Sequence, residues 1–153
     1  MQVCDGGSAM NVRSILADKG DQVVTVARTA SLTDVVATLA QHRIGALIVS
    51  GDGGALEGIV SERDLVRVLA SGGAGALADE VASVMTTDVV TCSPDDGVER
   101  LMVLMTARRI RHLPVLDGER VAGMISIGDV VKTRMGELES ENRALYDYIV
   151  HGR

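Results

Sequence analysis

Arg109-Ile110-Arg111-His112-Leu113-Pro114-Val115, followed by Gly123-Met124-Ile125-Ser126-Ile127-Gly128-Asp129, decides the fold, because the chain carries an earlier version of the same stretch. That version is Arg43-Ile44-Gly45-Ala46-Leu47-Ile48-Val49, then Gly58-Ile59-Val60-Ser61-Glu62-Arg63-Asp64. Working outward, the short strand Val23-Val24-Thr25-Val26 returns as Val89-Val90-Thr91-Cys92, and Val12-x-x-Ile15-Leu16 as Val81-x-x-Val84-Met85. The offset is 66 residues from Thr25 to Thr91 and from Ile44 to Ile110, and 65 from Ser61 to Ser126, so one residue is lost in the turn before the last strand. Upstream the offset is 69, which leaves the first copy three residues longer ahead of its first strand. Chance similarity does not hold an offset this steady. Two units are too few for a solenoid, which needs at least about three stacked repeats. Two copies closing on each other as one compact domain fit better.

The 153 residues match a single domain able to bury a sizeable core, and 46% hydrophobic with 24% charged residues is a globular composition. That core is aliphatic, since Phe and Trp are absent and only Tyr146 and Tyr148 are aromatic. A bound base would then lie between Val, Ile, Leu and Met side chains. A net charge of −6, from 15 basic and 21 acidic residues, argues against nucleic acid as a partner, because such affinity comes largely from neutralising phosphates. Cys4 and Cys92 form no Cys-x-x-Cys pair and read as free thiols in a reducing compartment. There is no secretory signal pattern and no apolar run near the roughly 20 residues that span a bilayer, so a cytoplasmic protein without a membrane partner is expected.

Each copy reads as strand, helix, strand, strand, helix, an α+β class of two β-α-β-β-α repeats with a C-terminal helix. The first helix of each copy carries an apolar stripe at helical spacing, Leu32, Val35, Val36 and Leu39 in one and Val98, Leu101, Met102 and Met105 in the other. Ile44 to Val49 is a continuous apolar strand expected to be buried on both faces. The second helices start at Ser61 and Ser126. Ser71-Gly72-Gly73-Ala74-Gly75 reads as a linker rather than a phosphate loop, because the Lys-Ser/Thr of a P-loop does not follow. The boundaries expected are a tail over 1–11, repeats over 12–70 and 81–135, a linker over 71–80 and a helical tail over 136–153. Along Val130 to Val150, Val131, Met135, Leu138, Asn142, Leu145 and Ile149 recur at spacings of four and three, a heptad seam suited to a second chain.

The chemistry concentrates at the second helix starts, Ser61-Glu62-Arg63-Asp64 and Ser126-Ile127-Gly128-Asp129. Ser-x-x-Asp is, first, a capping-box pattern. It also places a carboxylate, which can accept from two vicinal ribose hydroxyls, beside a helix N-terminus, which suits an anionic phosphate. Arg108-Arg109-Ile110-Arg111-His112 adds a basic cluster next to the second turn, and guanidinium groups match phosphate oxygens. Hydroxyl, carboxylate, cations and aliphatic walls together make a nucleotide pocket.

This ordered duplication resembles the CBS domain pair, named after cystathionine β-synthase, over residues from about Val12 to Lys132. The resemblance implies two repeats related by a pseudo-twofold and a regulatory module that binds adenosine ligands. AMP is the leading candidate, with ATP, NAD, NADH or S-adenosylmethionine as alternatives and no metal. It implies ribose binding by Asp64 and Asp129, phosphate contacts from Ser61, Ser126, Arg111 and His112, with Arg109 in the same cluster, and a reach across the cleft by Arg63. Adenine would be lined by Thr25, Ile44, Gly45 and Ala46 in one pocket and by Thr91, Ile110, Leu113 and Pro114 in the other. Where the second copy has Arg111-His112, the first has Gly45-Ala46, so the first cleft lacks local cations. Lys19 stands just before the first strand as a possible substitute, with an exposed, solvated lysine the expected reading.

Catalysis is not expected. His42, His112 and His151 show no metal-ligand spacing, and neither cysteine nor the two serines stand beside a base in sequence. The alternative to a ligand sensor is a dimerising scaffold in which the Ser-x-x-Asp turns only cap helices. A chain of this kind, without an effector domain in the sequence, would act through a homodimer or an effector protein.

Overall fold

The computed structural model describes residues 10–20 and 22–152, and Cys4 lies outside them. Its elements run α1 (Val12–Lys19), β1 (Thr25–Val26), α2 (Leu32–His42), β2 (Ala46–Ser50), β3 (Leu56–Ser61), α3 (Glu62–Gly72), α4 (Val98–Arg108), β4 (His112–Asp117), β5 (Arg120–Ser126) and α5 (Ile127–His151). The chain divides into two compact units that do not follow the sequence copies. One takes residues 22–91 and 114–123; the other gathers α1, residues 92–113 and everything from Met124 on.

In the first unit β1 pairs in parallel with β2, Thr25 opposite Ile48, and β2 pairs antiparallel with β3, Ala46 opposite Ser61. Ala46, Leu47, Ile48 and Val49 are all buried, as expected of a strand covered on both faces. Leu32, Val35 and Leu39 of α2 join Leu47, Val49, Val60, Leu65 and Val81 in one core cluster. Val36, the fourth member of the expected stripe, is 40% exposed instead, because a stripe of Leu32, Val35 and Leu39 already fills the inward face. Ser71 and Gly72 belong to the last turn of α3, Gly73, at φ 65, closes it, and a 3-10 turn over Ala74–Ala78 follows.

The second unit buries Val12 and Ile15 of α1, Val98, Leu101 and Met105 of α4, and Val130 of α5, and α4 packs on α5. The strand expected at 89–92 does not form: Cys92 makes a single bridge and no ladder continues from it. Pro114 explains the difference between the copies. By the repeat offset it stands where Ile48, the register partner of Thr25, stands in the first copy, and a proline has no N–H to give to a ladder.

α2 and α4 end alike. Arg43 (φ 54) and Arg109 (φ 52) adopt the left-handed conformation after the last helical residue, and Ile44 N–H and Ile110 N–H return to the carbonyls of Leu39 (3.1 Å) and Met105 (3.0 Å). This is a Schellman ending with arginine in the place usually taken by glycine. It turns the chain into β2 and β4, and so positions Gly45 and Arg111.

Candidate functional site

Ser126 ends β5 in extended geometry and caps α5. Asp129 Oδ2 accepts from Ser126 N–H at 2.9 Å and from Ser126 Oγ at 3.0 Å, while Asp129 N–H donates to Ser126 Oγ at 3.3 Å. Ile127 N–H donates to the carbonyl of Arg111 at 2.9 Å. The capping box and this backbone bond therefore satisfy the N–H groups of Ser126, Ile127 and Asp129 and leave that of Gly128. An incoming phosphate would find one helix N–H here rather than a set of them.

Lys19, in the last turn of α1, donates from Nζ to Asp129 Oδ2 at 2.7 Å and to the carbonyl of Met124 at 2.9 Å. Lys19 is exposed, as expected, with 38% of its side chain accessible, but its ammonium is paired with Asp129 of the second copy and does not stand as a cation for the first cleft. Burial by itself would raise the Asp129 carboxyl. The Lys19 hydrogen bond and charge, with the Ser126 N–H and hydroxyl, outweigh it and hold the group below its ordinary value. Asp129 Oδ1 accepts no hydrogen bond among the described residues.

The first copy repeats the turn without the lysine. Asp64 Oδ2 accepts from Ser61 N–H at 2.8 Å and from Ser61 Oγ at 3.0 Å, and Glu62 N–H donates to the carbonyl of Gly45 at 3.0 Å. The nearest cation is Arg67, 4.0 Å from Asp64 Oδ1 on the same helix. Both carboxylates are thus held through one oxygen, and the other accepts no hydrogen bond among the described residues.

The remaining expected site residues are placed as follows. Thr25 is exposed on β1, Ala46 is buried at the start of β2, and Arg63 is exposed on α3. Ile44 and Gly45 line an open cavity of about 580 Å³ with Val36, Leu39, Arg43 and Glu62. Thr91 is half-buried outside any strand, and Leu113 and Pro114 are buried in β4. Ile110 is half-buried, Arg109 and Arg111 are exposed, and His112 is half-buried at the first position of β4. Backbone bonds join Gly45 to the Ser61 turn and Arg111 to the Ser126 turn. No ion pair among the described residues joins Arg109 or Arg111 to Asp129; the cation that does so is Lys19. Asp129 and Lys19 line a separate cavity of about 890 Å³, which also takes in Lys132 and Arg134.

Sequence reasoning missed the pairing of Lys19 with Asp129. The one available signal was its position in the segment where the first copy is three residues longer. Cys92 is a buried free thiol whose burial, with the Asp96 charge, pushes it up to about 12. No cluster of His, Cys, Asp and Glu among the described residues is arranged to hold a metal ion, and no helix among them is long and apolar enough to cross a membrane.

The CBS domain family model matches residues 12–71 and 81–136. The chain is 40% identical over 123 residues to the mitochondrial CBS domain-containing protein CBSX3 of Arabidopsis thaliana, covering 78% of this chain and 60% of that protein. The solved structure of a CBS-domain containing protein from Agrobacterium tumefaciens is 43% identical and superposes with a TM-score of 0.80, covering 87% of this chain and 99% of the other. The CBS domain pair of protein MJ0100, solved with 5'-methylthioadenosine and S-adenosyl-L-methionine, is 25% identical with a TM-score of 0.72, over 80% of this chain and 98% of that one.

Proposed function

Because this chain belongs to the CBS domain family, as a tandem pair of repeats, we propose that it is a regulatory sensor of an adenosine nucleotide that acts through a homodimer or an effector protein. The observation that carries the proposal is the state of the two Ser-x-x-Asp turns. Each holds its aspartate by Oδ2 and leaves Oδ1 to accept from the vicinal hydroxyls of a ribose. The MJ0100 pair, with two adenosine compounds bound, supports the ligand class.

Asp129, Ser126 and the Gly128 N–H form the stronger half of this reading. Arg111 and His112, at the entry to β4, are the side chains assigned to phosphate, and Thr91, Ile110, Leu113 and Pro114 to the base. Asp64 and Ser61, with Thr25, Ile44, Gly45 and Ala46, form the weaker half, since Gly45-Ala46 stand where the second copy has Arg111-His112 and the cation recorded at Asp64 is Arg67, 4.0 Å away on the same helix. Arg63 and Arg109 are the exposed cations we assign to the rims. AMP is the first ligand to test, then ATP, NAD and NADH. A cytoplasmic setting and the absence of a catalytic role are part of the same proposal.

The test is thermal unfolding with AMP, ADP, ATP, NAD, NADH and S-adenosylmethionine, on the native chain and on Asp129→Asn, which keeps the side chain's shape. A ligand at about a hundred times its dissociation constant adds roughly 2.7 kcal/mol to stability. A selective rise that disappears in Asp129→Asn supports the sensor. No rise with any of them up to millimolar concentration transfers the reading to a dimerising scaffold.

A further inference from the structure

α5 is continuous from Ile127 to His151, and one side of it is held to its own unit. Arg134 lies 3.2 Å from Glu99 of α4, 3.0 Å from Glu137 and 3.8 Å from Glu141, and Met10 N–H donates to Glu137 at 2.9 Å. The heptad stripe lies on another side. Its apolar members are exposed, Val131 43%, Met135 56%, Leu138 48%, Leu145 62% and Ile149 78%, and the Asn142 side chain makes no hydrogen bond among the described residues. A stripe of large apolar residues left open along about 27 Å of helix implies a cover.

The charges flanking the stripe identify the cover. With Met135, Asn142 and Ile149 at a and Val131, Leu138 and Leu145 at d, the e positions are Lys132, Glu139 and Tyr146, and the g positions are Arg134, Glu141 and Tyr148. Two copies of α5 laid antiparallel would set Glu139 against Glu139 and Glu141 against Glu141, and would bury Asn142 against Leu138. Laid parallel, they avoid both like-charge contacts, set Arg134, which Glu99, Glu137 and Glu141 of its own chain already hold, beside Glu139 of the other copy, and bring the two Asn142 side chains together, where each amide bonds the other. Glu139 has no ion-pair partner among the described residues of its own chain, which leaves it available for that contact. The helix is therefore complementary to itself in one orientation only.

We propose that α5 pairs with α5 of a second copy of this chain as a parallel two-stranded coiled coil, its register set by Asn142. The proposal rests on the homodimer put forward above and gives it an interface and an orientation.

The experiment measures molar mass by light scattering on the full chain carrying Cys4→Ser. Leu138→Asp combined with Leu145→Asp should halve the mass from two chains to one while the cooperative unfolding transition persists, since both residues are solvent-facing in the single chain. Ile149→Cys should oxidise to a covalent dimer, because parallel helices place the two copies of position 149 side by side. An antiparallel pair would hold them about 27 Å apart. Asp147→Cys, facing outward, should not cross-link. A double variant that stays dimeric overturns the seam and leaves the homodimer standing; a native chain of monomeric mass overturns both. A dimer lost in the double variant but not cross-linked at position 149 overturns the parallel arrangement. If the double variant fails to fold, Asn142→Leu reads the same surface: removing the one polar a residue should tighten association and admit larger species. An unchanged mass distribution there overturns the seam.

Discussion

Lys19 Nζ stands 2.7 Å from Asp129 Oδ2, joining the last turn of α1 to the first turn of α5 across 110 residues of sequence. The same carboxylate oxygen takes the Ser126 N–H and hydroxyl, so a single atom serves the helix cap and the ion pair at once.

The pair is partly shielded, with side chains 38% and 22% exposed, and its coupling should fall near the upper end of the range for accessible ion pairs. A double-mutant cycle of Lys19→Met and Asp129→Asn, read by urea unfolding, is expected to give about 0.5–1 kcal/mol, shrinking in 1 M salt. Strict additivity of the two substitutions would mean that the contact contributes nothing.

Acid should remove this contribution. The folded-state carboxyl of Asp129 titrates below its ordinary value, so the unfolded chain takes up the proton first as pH falls. The stabilisation is complete above the unfolded value, near 3.9, and is lost as pH drops through the folded one. The difference in Tm between the native chain and Asp129→Asn is therefore expected to be full at pH 6 and to close below about pH 4. A difference that stays constant down to pH 2.5 would remove Asp129 as its source.

Arg43 and Arg109 sit at φ 54 and φ 52, where a side chain costs about 1 kcal/mol relative to glycine. Arg109→Gly should raise stability by up to about 1 kcal/mol in urea unfolding. A loss instead would show that the exposed guanidinium contributes more than the backbone strain removes.

The glycines of β3 and α5 should respond in opposite directions. A Cβ on Gly58 would come within 2.7 Å of Met85 Sδ and 2.9 Å of the Thr86 carbonyl oxygen, and backbone cannot move aside as a side chain can. Gly58→Ala is expected to cost about 1–3 kcal/mol. Gly136→Ala meets nothing within 4 Å inside a helix and should add about 0.5–1 kcal/mol. Calorimetry on the two variants checks both signs.

Cys92 is 5% exposed and its thiol is pushed up to about 12, so very little thiolate exists at neutral pH. In a Cys4→Ser background, a thiol reagent at pH 8 should leave the folded protein unlabelled for hours and react with one thiol per chain within minutes in denaturant. Rapid labelling of the folded protein would place Cys92 in an open environment.

The duplication was readable because its parts are local. Periodicity in α2 and α4, the continuous apolar run of β2 and the Ser-x-x-Asp turns each depend on a handful of neighbouring residues, and two copies confirm one another. What escaped was set by distance or by a single atom. Lys19 finds Asp129 only once α1 has packed, and nothing near Lys19 in sequence announces that. The missing strand at 89–92 follows from one absent N–H at Pro114, a residue that otherwise fits a buried apolar run. In the fold Arg108 and Arg109 serve the end of α4, and Arg111 reaches the Ser126 turn through its carbonyl.

One rod carries both the turn that holds Asp129 and, some six helical turns on, Ile149. At 1.5 Å per residue, its 25 residues extend about 37 Å. A tilt of about 5° at the first turn, less than the thickness of a methyl group there, sweeps the far end through roughly 3 Å. Leverage of that size is enough to bring the terminal side chains of a neighbouring rod into or out of contact, with no change inside the rod itself.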